Sequence, residues 1–135
     1  MLLLAPGFMR RLALIALAGL GLGLAGCVTP SIPIPPPDPS AMVFTLTKDA
    51  AGEITGASLF YPPEQNYCGG VAYVFNRTLG TGVIETVKTN CSIGPTATVA
   101  ARVNDEIVLS IENDDQTVST CVVLTADGTA AGVCQ

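Results

Sequence analysis

The sequence predicts an all-β fold, an antiparallel β-sandwich, over residues 42–135. Three observations predict it. From Met42 onward apolar residues alternate with a period of two, the alternating segments are short and rich in β-branched residues, and Gly, Pro, Asn or Asp separates them roughly every ten residues. No window of this region has the apolar spacing of an amphipathic helix. Seven or eight short strands at this spacing are typical of a β-sandwich.

The alternation places the strands of the predicted sandwich in chain order. They are expected over residues 43–47, 54–61, 71–76, 83–88, 96–103, 106–111, 117–125 and 129–134. Asp127-Gly128 stands between the last two segments, and this dipeptide is the strongest short-range signal of a β-hairpin.

Charge and composition exclude several classes of function. The chain has 11 acidic and 6 basic residues, and Arg10 and Arg11 lie in the N-terminal segment, so the remainder carries 11 acidic against 4 basic residues, a net −7. A body this acidic repels phosphate backbones, so we expect no nucleic-acid partner. The chain has 0 His, which excludes every catalytic triad built on His and the zinc sites that use it.

The N-terminal segment has the three parts of a secretory signal. Arg10 and Arg11 precede an apolar run over residues 12–26, and Cys27 follows. The run is about 15 residues long, shorter than the roughly 20 that a membrane-spanning helix needs. Its last residues, Leu24-Ala25-Gly26-Cys27, resemble the lipobox of bacterial lipoproteins. An uncleaved anchor or an ordinary signal peptide is the alternative, and Met9 would make a more typical start than Met1.

The lipobox resemblance implies a lipid anchor. In that family the chain is cut before the Cys, which carries a diacylglycerol and becomes an acylated N-terminus, typically with palmitate. Carried over, the membrane is a partner through the lipid on Cys27. In double-membraned bacteria an Asp after that Cys often retains the protein at the inner membrane, and here the position is Val28. We therefore expect a location at the cell envelope, in the outer rather than the inner membrane.

A proline-rich segment separates the lipid site from the predicted sandwich. Residues 28–41 hold six of the ten prolines, which deny the segment both helix and ladder hydrogen bonds. Extended polyproline II at about 3.1 Å per residue would hold a domain up to roughly 40 Å from the lipid. The predicted organisation is a signal peptide over 1–26, a lipidated Cys and linker over 27–41, and a sandwich over 42–135. A proline-rich ligand for another domain is the alternative for the linker.

The four remaining cysteines are expected to form two disulfides in an oxidising compartment. A two-residue loop at Asp127-Gly128 places Cys121 opposite Cys134 as a non-hydrogen-bonded pair, with Cα atoms about 4.5 Å apart. A hairpin around the turn-like residues 77–82 brings Cys68 to Cys91. A metal bound by all four thiolates is the rival, although the sequence has no C-x-x-C pair.

Residues 70–127 resemble the bacterial immunoglobulin-like and carboxypeptidase-regulatory-like domains of secreted proteins. The resemblance lies in Val71-Ala-Tyr-Val-Phe-Asn-Arg-Thr, in Thr98-Val-Ala-Ala-Arg-Val-Asn-Asp-Glu-Ile-Val-Leu-Ser-Ile and in Thr117-Val-Ser-Thr. It implies an immunoglobulin-like sandwich without catalytic residues. Ile93-Gly94-Pro95 replaces the usual Gly-Ser-Phe, which leaves the register of the second strand open.

Two groups of side chains are candidate sites. Glu112, Asp114 and Asp115 form a weak calcium candidate, because calcium takes oxygen ligands, but acidic residues are also what solvated turns use. Phe60, Tyr61 and Tyr67 form an aromatic group that either contacts a partner protein or caps the core at one end of the sandwich.

The predicted function is that of a non-catalytic binding or structural module, lipid-anchored in the cell envelope. We expect no cofactor, and another envelope protein is the expected partner. The alternative is a small periplasmic hydrolase or a calcium-dependent binder that uses the acidic loops.

Overall fold

The structure is a computed structural model, and it describes residues 32–135. The predicted signal peptide and Cys27 lie outside the described residues. The compact unit that is described here extends over Pro33–Gln135. None of the helical segments in residues 32–135 is long and apolar enough to cross a lipid bilayer.

The described residues form an all-β sandwich, which confirms the predicted fold class. Two short 3₁₀ turns, Pro39–Ala41 and Gln65–Tyr67, are the helical elements of this part of the chain. The strands of residues 32–135 are β1 Val43–Lys48, β2 Ile54–Phe60, β3 Val71–Asn76, β4 Thr81–Thr86, β5 Val99–Ala100, β6 Glu106–Asn113, β7 Gln116–Leu124 and β8 Ala130–Val133.

The strands form two antiparallel sheets within residues 32–135. One sheet has the order β1-β2-β5 and the other the order β4-β3-β6-β7-β8. The chain passes between the sheets at the connections β2–β3, β4–β5 and β5–β6. This is the arrangement of an immunoglobulin-like sandwich, in which strands A, B and E face strands C′, C, F and G, with β8 added beyond the G position.

The core lies between the two sheets, because alternate side chains of each strand point inward. On β6, for example, Ile107, Leu109 and Ile111 are all buried. Other buried residues of the core cluster are Phe44, Ala57, Leu59, Ala72, Val74, Val99, Val122 and Leu124.

The pairing of β3 with β6 defines the two ends of the sandwich. Val71 lies opposite Glu112 at one end, and Asn76 lies opposite Ile107 at the other. We call the first the proximal end. It carries the β6–β7 turn and the Gln65–Tyr67 turn. The distal end carries the β1–β2 loop and the loop that leads into β6.

The predicted strand over residues 96–103 is wrong in its length, since the structure reduces it to Val99–Ala100. The N–H of Thr96 donates to the Leu59 carbonyl at 3.0 Å as in a ladder, but the return hydrogen bond from the Leu59 N–H goes to the Thr96 hydroxyl Oγ1 at 3.0 Å and not to its carbonyl. The hydroxyl of Ser58 donates to the Thr96 carbonyl at 2.6 Å. These side-chain hydrogen bonds hold residue 96 against β2 without extending the strand.

The fourth strand begins and ends two residues earlier than predicted. Asn76 pairs with Thr81, so that the β3–β4 loop consists of residues 77–80. The backbone N–H of Gly80 donates to the Asn76 carbonyl at 2.8 Å, and Gly80 has a φ of 73°. This left-handed conformation suits glycine and closes the loop tightly.

The β7–β8 hairpin has a three-residue loop rather than the predicted two-residue loop. Beyond the Leu124–Ala130 pair the N–H of Thr125 donates to the Thr129 carbonyl at 3.3 Å, which leaves residues 126–128 as the loop. The N–H of Gly128 donates to the Thr125 carbonyl at 3.3 Å. A bulge between Val122 and Val123 then shifts the register by one residue, and Gly132 in the opposing strand has a φ of 63°. The bulge compensates for the longer loop.

Candidate functional site

The second half of the proline-rich segment lies against the sandwich. We call residues 34–38 the strap. The strap is held by hydrogen bonds from the proximal end: the hydroxyl of Tyr67 donates to the Pro35 carbonyl at 2.9 Å, and the Asp38 N–H donates to the hydroxyl oxygen of Tyr61 at 3.0 Å. The compact unit therefore begins at Pro33, nine residues before the predicted boundary at Met42.

Two residues of β7 hold the strap from its other side. The side chain of Thr120 donates to the Pro37 carbonyl at 2.6 Å, and the Ile34 N–H donates to the side-chain oxygen Oε1 of Gln116 at 3.0 Å. Pro37 is fully buried. The strap runs along the part of β7 that β8 does not pair with, and it covers the open side of the sandwich there.

The two tyrosines form the floor under the strap. Tyr61 is 6% exposed and Tyr67 is 1% exposed, and their ring centroids lie 5.8 Å apart at an interplanar angle of 46°. Burial raises the pKa of Tyr67 far above its ordinary value, with smaller contributions from Tyr61. The Tyr67 hydroxyl therefore stays protonated and remains a donor to the strap.

The sequence left two roles open for Phe60, Tyr61 and Tyr67, a partner contact or a cap on the core, and their burial is that of a cap on the core. Phe60 is half-buried, and the two tyrosines are buried against the core cluster. The hydroxyl groups of the two tyrosines contact the chain's own proline-rich segment. Sequence reasoning treated the prolines and the aromatic residues as separate features, although proline-rich segments commonly dock on aromatic side chains.

Both expected disulfides are present, Cys68–Cys91 and Cys121–Cys134, with Cα atoms 4.6 and 5.4 Å apart. The expected geometry of the second pair is wrong. The N–H of Cys134 donates to the Cys121 carbonyl at 3.2 Å, so the residues form a hydrogen-bonded pair. Disulfides of this kind indicate an oxidising location outside the cytoplasm.

The Cys68–Cys91 disulfide lies beyond the hairpin that was expected to align it. The β3–β4 ladder continues to the bond from the Val87 N–H to the Gly70 carbonyl at 3.0 Å. A turn follows, closed by the bond from the Cys91 N–H to the Lys88 carbonyl at 2.8 Å. Cys91 has a φ of 67° in this turn, and this conformation returns its side chain to Cys68.

The four cysteines of residues 32–135 are joined in pairs, so this part of the chain has no thiolate set of the kind that the metal-binding alternative requires. The described residues contain one cluster of three metal-ligating types within 4.8 Å, namely Glu106, Cys121 and Cys134. Two of its members are bonded to each other in the disulfide. Disulfide sulfur is not the thiolate that binds zinc.

The weak calcium candidate occupies a hairpin turn at the proximal end. Asp114 and Asp115 have φ values of 47° and 60° and connect Asn113 to its partner Gln116. Glu112 lies on the neighbouring strand, where its carboxylate accepts a hydrogen bond from the Tyr73 hydroxyl at 3.0 Å. This hydrogen bond raises the pKa of Tyr73.

Within residues 32–135 the carboxylates of Glu112, Asp114 and Asp115 do not form a cluster within 4.8 Å. Asp and Asn tolerate the left-handed conformation of a two-residue hairpin turn, and this is a sufficient reason for acidic residues at this position.

A buried polar network closes the distal end. The amide nitrogen of Asn76 donates to the carboxylate of Asp105 at 2.7 Å and to the Ala100 carbonyl at 2.9 Å. Its amide oxygen accepts from the N–H groups of Thr78 and Leu79. Asn76 is 0% and Asp105 is 6% exposed. The sequence analysis missed this network, whose members lie 29 residues apart.

An open cavity of about 410 Å³ lies at the distal end, between the β1–β2 loop and the loop that follows β5. Asp49 accepts hydrogen bonds from the backbone of Ala51 and Glu53 and thereby shapes its rim. Within the described residues Arg102 forms no ion pair. The lining residues are Asp49, Glu53, Ile54, Thr55, Arg102 and Val103. The lining therefore combines two acidic residues with one basic residue.

The outer face of the five-stranded sheet carries exposed apolar side chains. Ile84 is 69% and Phe75 is 42% exposed, and they lie on the adjacent strands β4 and β3. Exposed apolar groups of this kind are typical of protein contact surfaces.

No protein family, curated protein or solved structure was found to match this chain.

Proposed function

We propose that this protein is a lipid-anchored module of the bacterial cell envelope that binds or supports another envelope protein without catalysing a reaction. The contact that carries the proposal is the docking of the strap on the proximal end, because it determines how an anchored chain would present its domain. The two disulfides support a location outside the cytoplasm.

The proposed anchor point is Cys27, which the lipobox pattern makes the first residue of the mature chain. Residues 28–33 would then connect the lipid to the strap. Six residues at about 3.1 Å each span roughly 19 Å, about half of the spacer that the proline-rich composition suggests. The proximal end of the sandwich would accordingly be held close to the membrane.

Anchoring by the proximal end would direct the distal end away from the bilayer. The distal loops include the cavity around Arg102, and the outer sheet face with Phe75 and Ile84 would stand at the side. These surfaces are the ones that a neighbouring envelope protein could reach. Val28 after the lipid site favours the outer membrane.

Incorporation of labelled palmitate in the native bacterial host tests the anchor. The native chain and the matched variant Thr29→Ala should both become labelled, and Cys27→Ser should not, because only Cys27 is the acylated residue of the proposal. The labelled chains should stay with the membrane fraction in high salt, since two or more acyl chains bind through buried methylenes rather than charge. Label on Cys27→Ser, or none on the native chain, would refute the anchor.

A further inference from the structure

The side chains that hold the strap form a groove that contacts the backbone of the strap. We call Tyr61, Tyr67, Gln116 and Thr120 the groove residues. Each of them makes its polar contact with a backbone N–H or carbonyl of the strap, at distances between 2.6 and 3.0 Å. The polar contacts of the groove therefore recognise the backbone path of the strap, and the buried ring of Pro37 adds an apolar contact.

The strap has the features that such a groove requires. It is proline-rich and lies outside every helix and strand of residues 32–135, and Asp38 has extended dihedrals of −78° and 120°. Extended proline segments lose little entropy on docking and leave their carbonyls free to accept hydrogen bonds. The one acidic side chain of the strap, Asp38, accepts from the N–H of Ser40 and so caps the Pro39–Ala41 turn instead of contacting the groove.

The strap can detach from the groove without disrupting either sheet. It contributes no strand to either sheet, and the Pro39–Ala41 turn separates it from β1. Buried Met42 and Phe44 follow this turn and remain part of the core. A strap that left the groove would uncover Tyr61 and Tyr67 without removing a strand.

We propose that the groove is a polyproline-binding site that accepts residues 34–38 of a second copy of this chain as well as its own strap. Exchange of an identical segment needs no new complementarity, because the contacts in the exchanged form are the same as those within one chain. The chain's own strap competes at an effective concentration in the millimolar range, so exchange requires a high local concentration of copies. This inference does not rest on the lipid anchor.

A synthetic peptide of residues 33–39, Pro-Ile-Pro-Pro-Pro-Asp-Pro, tests the groove in the full chain. Pro37→Ala weakens the chain's own strap by removing its buried ring, and Pro36→Ala is the matched control, because Pro36 is exposed. Saturable shifts of the Tyr67 and Thr120 NMR signals are expected with Pro37→Ala. Binding should be at least tenfold weaker to the native chain and to Pro36→Ala, since their own straps compete.

The same titration on Pro37→Ala combined with Tyr67→Phe and Thr120→Val should lose binding at least tenfold, because both hydroxyl donors are absent. If the peptide shifts no groove signal in either the native chain or Pro37→Ala, while the cysteines resist alkylation as in a folded domain, the groove is not a binding site. If Pro37→Ala fails to fold, the native chain titrated to more than tenfold higher peptide concentration keeps the test decisive.

Mixing complementary chains tests the second copy as the occupant. One chain has an intact groove and a weakened strap, Pro37→Ala, and the other has an intact strap and a weakened groove, Tyr67→Phe with Thr120→Val. Native mass spectrometry at high protein concentration should detect a one-to-one complex in the mixture and less of any dimer in either chain alone. Peptide binding without a mixed complex would overturn the second copy as the occupant. Neither result depends on palmitate labelling.

Discussion

The hydroxyl of Tyr67 donates a hydrogen bond to the carbonyl oxygen of Pro35, 32 residues earlier in the chain, at 2.9 Å. This contact makes the proline-rich segment part of the folded domain. With the bond from Thr120 to Pro37, it seats the strap over the open side of the sandwich. Under the proposed anchoring at Cys27, the linker between lipid and domain would be shorter by the residues of the strap, and the proximal end would face the membrane.

Loss of the Tyr67 hydroxyl should destabilise the domain. Tyr67→Phe keeps the ring in the core and removes the donor to the strap, so we expect the free energy of unfolding to fall by about 1 kcal/mol. Tyr73→Phe is the matched control, because the hydroxyl of Tyr73 contacts the exposed Glu112. Urea denaturation with both disulfides intact measures the difference. Equal midpoints for the two variants would contradict the structural role of the strap.

Truncation of Asn76 should have a larger effect than loss of the Tyr67 hydroxyl. Asn76→Ala removes the amide donor to the buried Asp105 carboxylate and the acceptor of the N–H groups of Thr78 and Leu79. We expect the free energy of unfolding to fall by about 2–4 kcal/mol. The control is Asn90→Ala, since Asn90 is exposed. Thermal unfolding measures both, and a loss no larger than that of the control would show that the network is not what closes the distal end.

Local sequence signals predicted the Cys121–Cys134 disulfide although they gave the wrong loop. Asp127-Gly128 indicated a two-residue turn, whereas the loop has three residues because Gly128, with a φ of 83°, follows the turn instead of belonging to its centre. The bulge at Gly132 restores the register before Val122 meets Val133. A hairpin signal therefore predicts that two strands pair. It does not predict the length of the loop or a bulge in one of the strands.

Removal of either disulfide should destabilise the domain by about 3 kcal/mol on the loop-closure model, which gives the longer Cys68–Cys91 ring the slightly larger effect. The sequence separations are 23 for Cys68–Cys91 and 13 for Cys121–Cys134. The double variants are Cys68→Ser with Cys91→Ser and Cys121→Ser with Cys134→Ser. Urea denaturation compares them with the native chain before and after reduction. If the native chain unfolds at the same urea concentration before and after reduction of its disulfides, this account of its stability is contradicted.

The contacts that sequence reasoning missed are those between distant segments. Proline content predicted an extended segment over residues 28–41. No local pattern in the sequence predicts that the strap, within this segment, contacts Tyr61 and Tyr67. The predicted strand at 96–103 failed for a related reason: Thr96 is a good strand residue whose side chain bonds to Leu59 in place of its own carbonyl. The apolar periodicity of a strand shows which of its faces is buried. It does not show where a side chain takes over a hydrogen bond that the backbone would otherwise make to the neighbouring strand.

Acid should weaken the β7–β8 hairpin through Asp127. Hydrogen bonds from the hydroxyl of Thr125, and then from the hydroxyl and N–H of Thr129, lower the pKa of this carboxyl to about 2. The folded pKa lies below the ordinary unfolded value of about 3.9, so this contribution to stability is complete above pH 4 and is lost as the pH falls toward 2. NMR titration of the Asp127 carboxyl in the folded chain measures the pKa directly.

The variants Thr125→Val and Thr129→Val serve as the controls for this titration. Each removes one hydroxyl donor, so each should move the pKa of Asp127 upward toward its ordinary value, with the larger change for Thr125→Val. Asp127→Asn should remove this part of the pH dependence of stability between pH 4 and 2. A native pKa near 4, unchanged in both threonine variants, would contradict the hydrogen bonds of this loop.

The intact mass of the protein purified from the membrane fraction tests the proposed anchored and disulfide-bonded domain most directly. The account predicts a mature chain that begins at Cys27, carries the added mass of acyl chains, and gains four alkyl groups only after thiol reduction. A chain that retains residues 1–26 without acyl mass, or that is alkylated without reduction, would contradict it.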